Sequence, residues 1–296
     1  MDLNLNRFNR IIDLYFYNTV DSLVPAKIIR CPRHGRKPTI EISGTYTCRF
    51  FLPSFNIKIT NLYLDYQTEQ YAKVRVEAGY VTGKPCSFEG SIITMYQESP
   101  GPEGRTVIQC KQGRMESWLN TTVQLDFANN TSLTEVLESI RTKLKATQIK
   151  IGNKARTLML PESGFLYDGS ARGAMAKLEE IFEENDLVIF MRENCLYAQC
   201  IGRDDNAGAK VLQYMSAPPQ PNTGGKDGVY YTTITAPWMP DLQLFDKLII
   251  PARVYIRNFG VVGNGKQQKI QVNTLSFHFG TTGSVNSMTV QGTIAR

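Results

Sequence analysis

The chain has 296 residues with a formal net charge of +6, and is 42% hydrophobic and 20% charged, the composition of a folded protein rather than a disordered one. No apolar run approaches the roughly 18 residues needed to span a bilayer, so membrane insertion is not expected, and the opening MDLNLNRFNRIIDLYFYN lacks the basic-then-apolar order of a secretory leader. Synthesis and folding in the cytoplasm are therefore expected, and the six cysteines (Cys31, Cys48, Cys86, Cys110, Cys195, Cys200) read as small core residues rather than as a disulfide framework.

From the start to about residue 116 the text is that of strands. TYTCRFFL (45–52), FNIKIT (55–60), AKVRVEAGY (72–80), FEGSIITMY (88–96) and RTVIQC (105–110) are rich in β-branched and aromatic residues. Alternation shows in Phe55, Ile57, Ile59 and in Val74, Val76, Ala78, and turn residues at Pro53-Ser54, Gly83-Lys84-Pro85 and 98–104 separate the runs. Short antiparallel strands at this spacing predict a barrel or sandwich. Arg30, Arg33, His34, Arg36 and Lys37 form the densest basic cluster, without interleaved aromatics, and read as a solvated loop rather than a nucleic-acid site.

Between about 120 and 215 the period changes. Ser132 and Glu135 stand at capping-box spacing before a stripe of Leu133, Val136, Leu137, Ile140 and Leu144. A second helix is predicted over ARGAMAKLEEIFEEN with Ser170 as its cap and Ala174, Met175, Leu178, Ile181 and Phe182 facing inward. LVIFM and CLYAQCIG then read as a hairpin about Arg192-Glu193-Asn194. SAPPQPNTGGKDG (216–228) is too rich in Pro and Gly for a regular element, and strands return to the end in VYYTTITA, DKLIIPARVYI, KIQVNTLSFHFG and VNSMTVQGT.

Motifs that could carry chemistry mostly dissolve in their context. GVVGNGKQ (260–267) has the Gly-x4-Gly-Lys spacing of a phosphate loop, but Gln267 stands where Ser or Thr should reach magnesium, and a strand pattern comes next instead of a helix. It reads as a hairpin loop. Glu179, Glu180, Glu183, Glu184 and Asp186 fall opposite the apolar stripe of their helix and read as a solvated face. His34 and His278, the only histidines, lie in the basic loop and in a strand, with no Gly-x-Ser-x-Gly elbow to support a triad. Cys31 and His34 make one Cys-x-x-His pair with no second, which is short of a structural zinc site. Trp118 and Trp238 read as packing anchors, Trp238 between Pro237 and Pro240 with the option of an interface. No catalytic, cofactor or metal residue is assigned.

One stretch carries a resemblance. KVRVEAGYVTGKPCSFEGSIITMYQESPGPEGRTVIQCKQG (73–113) resembles the signature of bacteriophage contractile-tail baseplate hub proteins, the Mu-like tail hub family. Its pieces are Ala78-Gly79-Tyr80, Phe88-Glu89-Gly90, the loop 97–104 and the strand Val107 to Gly113, with Asn61-Leu62 upstream. The order of the two helices, the hairpin and the closing VNTLSFHFGTTGSVNSMTVQGT is similar to that family as well.

The resemblance implies a mainly β fold with an α+β insert: two tail-tube-like antiparallel β-barrel modules flanking a small α+β domain. The expected division is 1–116 for the first barrel, 117–215 for the α+β domain, 216–229 for a Pro/Gly-rich linker or loop, and 230–296 for the second β module. The second module is either reduced or completed by TTVQLDF (121–127). The implied role is that of a non-enzymatic virion protein without cofactors: a homotrimer forming a pseudo-sixfold ring between tail tube protein and central spike protein. Tape-measure and other baseplate proteins are further implied partners, and DNA meets it only in transit through the lumen. Strand-edge pairing and loop docking, with 97–104 and 216–228 as docking loops, are the expected means of assembly. The hub of a non-viral contractile injection system and the distal tail protein of a flexible-tailed phage are the alternatives. A nucleotide hydrolase, a cell-wall hydrolase and a nucleic-acid-binding barrel are the readings from other classes.

Overall fold

The structure is a computed structural model, and it describes residues 10–31, 38–47, 54–62, 70–80, 85–99, 104–111, 120–192, 195–200, 209–212, 214–216, 220–222, 231–240, 242, 244, 246–256, 260–263, 267–281 and 286–294. Among them the first zone forms β1 (Arg10–Tyr17), β2 (Lys27–Arg30), β3 (Thr39–Thr47), β4 (Ser54–Thr60), β5 (Lys73–Tyr80), β6 (Cys86–Ser99) and β7 (Arg105–Lys111). The middle zone forms β8 (Thr122–Phe127), helix α1 (Leu133–Leu144), β9 (Gln148–Ile151), the single turn α2 (Asn153–Arg156), β10 (Phe165–Ser170), α3 (Ala171–Ile181), β11 (Leu187–Arg192) and β12 (Cys195–Cys200). The last zone supplies β13 (Ala209–Val211), β14 (Tyr214–Met215), β15 (Gln220–Asn222), β16 (Tyr231–Ala236), β17 (Lys247–Ile250), β18 (Arg253–Ile256), β19 (Gly260–Gly263), β20 (Gln268–Gly280) and β21 (Asn286–Ile294). The chain is mainly β with an α+β insert.

The two β zones are hydrogen-bonded into one sheet. Its order is β15-β16-β21-β20-β3-β4-β7-β6-β5-β1-β2, and β17, with β13 beside it, joins at β20. The long β20 makes this possible by serving two partners along one side. Gln268 to Gln271 pair with β17, and Thr274 to Gly280 pair with β3. The register slips between Val272 and Thr274, a bulge of the kind that bends a strand and re-aims the residues beyond it.

Period-2 alternation then decides the faces. Ile40, Ile42, Phe55, Ile57, Ile59, Val74, Val76, Phe277, Phe279 and Val290 from both zones meet in one hydrophobic core. The N-terminal pair β1 and β2 has the same cause, since Ile12, Leu14 and Phe16 alternate and are fully buried. That alternation in RIIDLYFY makes a strand that the reading of the first zone as strands did not single out, and β3 begins six residues before the expected TYTCRFFL run, at Thr39.

In the insert, local chemistry was sufficient. Ser132 accepts from the Glu135 N–H at 3.2 Å, and Leu133, Val136, Leu137, Ile140 and Leu144 are the buried stripe of α1. Ser170 accepts from the Gly173 N–H at 3.1 Å to cap α3, which buries Ala171, Ala174, Met175 and Leu178. These helices cover one face of a sheet ordered β11-β12-β9. The other face of β11 turns Val188 and Phe190 into the main β core, so the insert is clamped on by a strand buried on both sides. The segment 121–127 does not complete the second β zone. As β8 it pairs with β10 inside the insert, where Val123 and Leu125 join the helical core.

Candidate functional site

The seam between the β zones is built from aromatic side chains and one polar triangle. Phe55 meets Phe88 edge-on at 5.0 Å, Phe88 meets Phe277 at 5.9 Å, and Trp238 stacks on Phe277 at 5.3 Å. Trp238 then leans on Phe279 at 4.4 Å, which Tyr80 meets edge-on at 5.6 Å. Trp238 is thus a packing anchor, 4% exposed. Asn286 donates Nδ2 to the Tyr80 hydroxyl at 2.8 Å and accepts the Trp238 N–H at 3.1 Å, while the Tyr80 hydroxyl reaches the Trp238 carbonyl at 3.1 Å. Arg10 closes the far end by donating to the Gly280 carbonyl at 2.9 Å.

This explains the physical content of the signature residues. Tyr80 is the polar hinge of the seam. Phe88 is a core aromatic, and a Cβ on Gly90 would stand 2.7 Å from the Phe55 ring and 2.8 Å from the Lys111 carbonyl. Gly44 plays the same part at the β3–β20 seam, where a Cβ would lie 2.9 Å from the Phe277 ring.

The opposite face of the seam is open and polar. Ser43, Thr45, Ser54, Asn56, Ser276, His278, Ser287 and Thr289 line a shallow concavity of about 290 Å³ over β4, β3, β20 and β21. The Thr45 and Ser276 hydroxyls are 3.1 Å apart across the seam. His278 Nε2 lies 3.7 Å from Glu41 Oε2 with about half of its side chain exposed. A histidine, a carboxylate and serines do therefore share this face. Among the described residues no hydrogen bond joins His278 to a serine, and the face is open to water, whereas nucleophile activation needs a base held against the hydroxyl. The face offers small neutral donors and acceptors with few charges.

Toward β2 the outer face becomes a ladder of paired charges and tyrosines. Arg75 lies 4.4 Å above the Tyr15 ring and 3.3 Å from Glu77, which accepts the Tyr15 hydroxyl at 3.1 Å. Asp13 stands opposite Arg30 and Glu77. Burial raises the Asp13 carboxyl above its ordinary value, and Glu77 adds to the shift while Arg30 opposes it.

The motifs singled out in the sequence meet different fates. GVVGNGKQ is not a hairpin tip. Gly260–Gly263 is β19, paired back to β18, so the chain reverses between Ile256 and Gly260, and the next strand, β20, belongs to the other sheet. The stretch through Lys266 connects two sheets, and Lys266 itself lies outside the described residues. The run DKLIIPARVYI likewise splits at Pro251 into β17 and β18, in different sheets. Of the acidic run, Glu180, Glu183, Glu184 and Asp186 are not buried, but Glu179 turns back and accepts the Ile189 N–H at 2.6 Å. Within 216–228, Gln220–Asn222 pair with β16 as the end strand of the sheet, with Pro221 at its centre. The rest of that segment, apart from Ser216, lies outside the described residues, as do 100–103 of the other expected docking loop. His34, Cys48, Trp118 and 32–37 of the basic cluster also lie outside them. Among the described residues, no three His, Cys, Asp or Glu side chains are grouped to hold a metal ion, and Cys31 and Cys110 are free thiols.

No protein-family model matches the sequence, and no curated protein matches it. Solved structures do match in three dimensions. The chain is similar to the tail protein of Neisseria meningitidis MC58, with a TM-score of 0.59 and 8% identity over 97% of this chain and 96% of that one. It is similar to the 43 kDa tail protein of prophage MuSo2 from Shewanella oneidensis, with a TM-score of 0.58 and 9% identity over 96% of each chain. A component of the E. coli type VI secretion system, described as structurally similar to the T4 bacteriophage tail proteins gp27 and gp5, matches 87% of this chain and 74% of its own at a TM-score of 0.51 and 8% identity. The chain shares its fold with these two tail proteins and with the type VI secretion component.

Proposed function

We propose that this chain is a structural, non-enzymatic component of a contractile tail: the baseplate hub, a trimeric ring of pseudo-sixfold symmetry between the tail tube and the central spike. The observation that carries the reading is the fold shared, end to end, with two tail proteins, one of them from a prophage. The two β zones, 1–116 and 230–296, act as the paired tube-like modules, so that three chains offer six. The seam at β3 and β20 holds the pair at a fixed angle, and the neutral concavity above it faces the lumen through which DNA passes. Copies associate by loops and side chains at the flanks of the sheet. Added strands are disfavoured there because the described end strands are short and carry Lys27 and Arg30 in β2 and Pro221 in β15.

A second reading is the hub of a non-viral injection apparatus, favoured by the likeness to the type VI secretion component. Negative-stain electron microscopy of the purified chain, alone and with tube and spike proteins, tests the shared core of both readings. Rings of threefold or sixfold appearance are expected, and monodisperse single particles under all these conditions would sink it. Neighbouring genes separate the two, with tape-measure genes on the phage side and effector genes on the other.

A further inference from the structure

The insert is electrically polarised. Residues 141–156 carry six lysines and arginines and no acid, whereas 179–186 carry five acids and no base. The basic run passes through the end of α1, β9 and α2, and the acidic run through the end of α3 and the turn into β11. Because the sheet order is β11-β12-β9, the two runs stand at its opposite edges. Both are held in place. Arg141 donates to Glu138 at 2.6 Å and to the Ala146 carbonyl at 3.0 Å, Lys150 lies 5.4 Å over the Tyr197 ring, and Glu179 accepts the Ile189 N–H at 2.6 Å.

Lys143, Lys145, Glu180 and Glu183 are exposed, and among the described residues none of the four has an ion-pair partner. On the main sheet, by contrast, Lys58 pairs with Glu98, Lys73 with Glu89 and Arg75 with Glu77. The other charges of these helices, Glu135 and Glu138 in α1 and Arg172 and Lys177 in α3, precede the two runs, and of them Glu138 is taken up by Arg141. Cations suit the C-terminal end of α1, but acids at that end of α3 oppose the helix dipole. Helix stability therefore explains the basic end and does not explain Glu180 or Glu183.

We propose that the inserts of neighbouring copies meet head to tail, the basic β9 edge of one against the acidic α3–β11 edge of the next. This rests on the ring reading above. Both halves of the contact are present on the one chain, and charge complementarity selects a second copy as the occupant. A polyanion such as DNA would account for the basic edge alone, and a basic partner for the acidic edge alone. In a ring built by rotation each copy offers one edge to its neighbour's other edge, which accounts for both signs and for their opposite placement. Opposite charges across such a contact fix partner and orientation more than they add affinity. The insert contact therefore sets which way neighbouring copies face.

Sedimentation equilibrium of the full chain tests the proposal by charge reversal. One variant is Lys143→Glu/Lys145→Glu, a second is Glu180→Lys/Glu183→Lys, and a third combines all four changes. Arg253→Glu/Lys269→Glu, at exposed positions of the last zone, is the control for net charge. Circular dichroism checks that each variant is folded, and Lys143→Gln/Lys145→Gln replaces the first variant if its spectrum changes. The wild type should form trimers, and each single-edge reversal should associate at least ~10-fold more weakly at low salt. The difference should shrink as ionic strength rises from about 0.1 M to about 1 M, where the screening length falls to about 3 Å. The fourfold variant should recover wild-type association, because its two edges are again of opposite sign. Only a partner that carries both edges gives that recovery. Reversals that trimerise like wild type overturn the insert contact and leave the ring intact. Equal weakening by the control, or no recovery in the fourfold variant, overturns the pairing of the two edges. Trimers unaffected by reversal, with binding of a short DNA duplex lost in the first variant, assign the basic edge to a polyanion and overturn the proposal. A wild type that stays monomeric at every concentration removes the ring and the insert contact together.

Discussion

Asn286 donates its side-chain amide to the Tyr80 hydroxyl at 2.8 Å, joining the first residue of the last strand to the last residue of β5 across 206 positions of sequence. The same asparagine fixes Trp238 through its backbone N–H, so three segments distant in sequence share one set of polar atoms at the edge of an aromatic seam.

Removing either end of that link leaves a part-buried partner without its hydrogen bond. Tyr80→Phe and Asn286→Ala are each expected to cost about 1–3 kcal/mol. The double variant should cost less than their sum, because the two act on one network. Denaturant midpoints of the four proteins measure the coupling, and strict additivity would show that the link is not energetically shared.

The glycine of the Phe88-Glu89-Gly90 stretch is fixed by close approach rather than by backbone angle. Gly90→Ala should destabilise by about 1–3 kcal/mol, since a methyl there meets the Phe55 ring at 2.7 Å and the Lys111 carbonyl at 2.8 Å. Trimming the ring in Gly90→Ala/Phe55→Leu should recover part of the loss in a thermal melt. No recovery would place the strain on the backbone contact alone.

Two neighbouring glutamates of α3 should behave differently. Glu179→Ala removes the acceptor of the Ile189 N–H and is expected to cost about 1.5–3 kcal/mol, whereas Glu180→Ala on the outer face should stay within about 0.5 kcal/mol of wild type. Faster hydrogen exchange at Ile189 in the first variant alone would confirm the cause. Equal effects would return Glu179 to the solvated face that spacing alone assigned it.

Asp13 gives a pH signature. Its carboxyl titrates above the ordinary value because burial outweighs the opposing attraction of Arg30, with Glu77 adding a smaller push upward. A carboxyl with a higher pKa folded than unfolded binds more protons in the native state. Its contribution to stability therefore falls as pH rises from the unfolded value through the folded one, and stays lower above it. Asp13→Asn should melt higher than wild type at pH 7, and the difference should shrink as pH drops through the raised value and be gone below the ordinary aspartate range. A lower melting temperature at pH 7 would mean that attraction to Arg30 outweighs burial.

Local chemistry determined a good deal of this molecule from sequence alone. The caps Ser132 and Ser170, the buried stripe of α1, the hairpin of β11 and β12 and the alternation of β4, β5 and β20 depend on residues within a few positions of each other, so periodicity and capping suffice to place them. The resemblance of 73–113 to tail proteins pointed to the right fold, and Tyr80, Phe88 and Gly90 within it are seam residues.

What the tertiary structure alone decided is which strand lies beside which. Strand propensity makes no distinction between partners, so DKLIIPARVYI and GVVGNGKQ read as continuous strand and hairpin although each joins two sheets. TTVQLDF was free on paper to complete the second β zone, but its Val123 and Leu125 are buried against helices. The joining of both zones into one sheet turns on the slip between Val272 and Thr274, where a single strand changes partners. That choice is made by non-local packing of Phe277, Trp238 and Phe279, which no window of sequence contains.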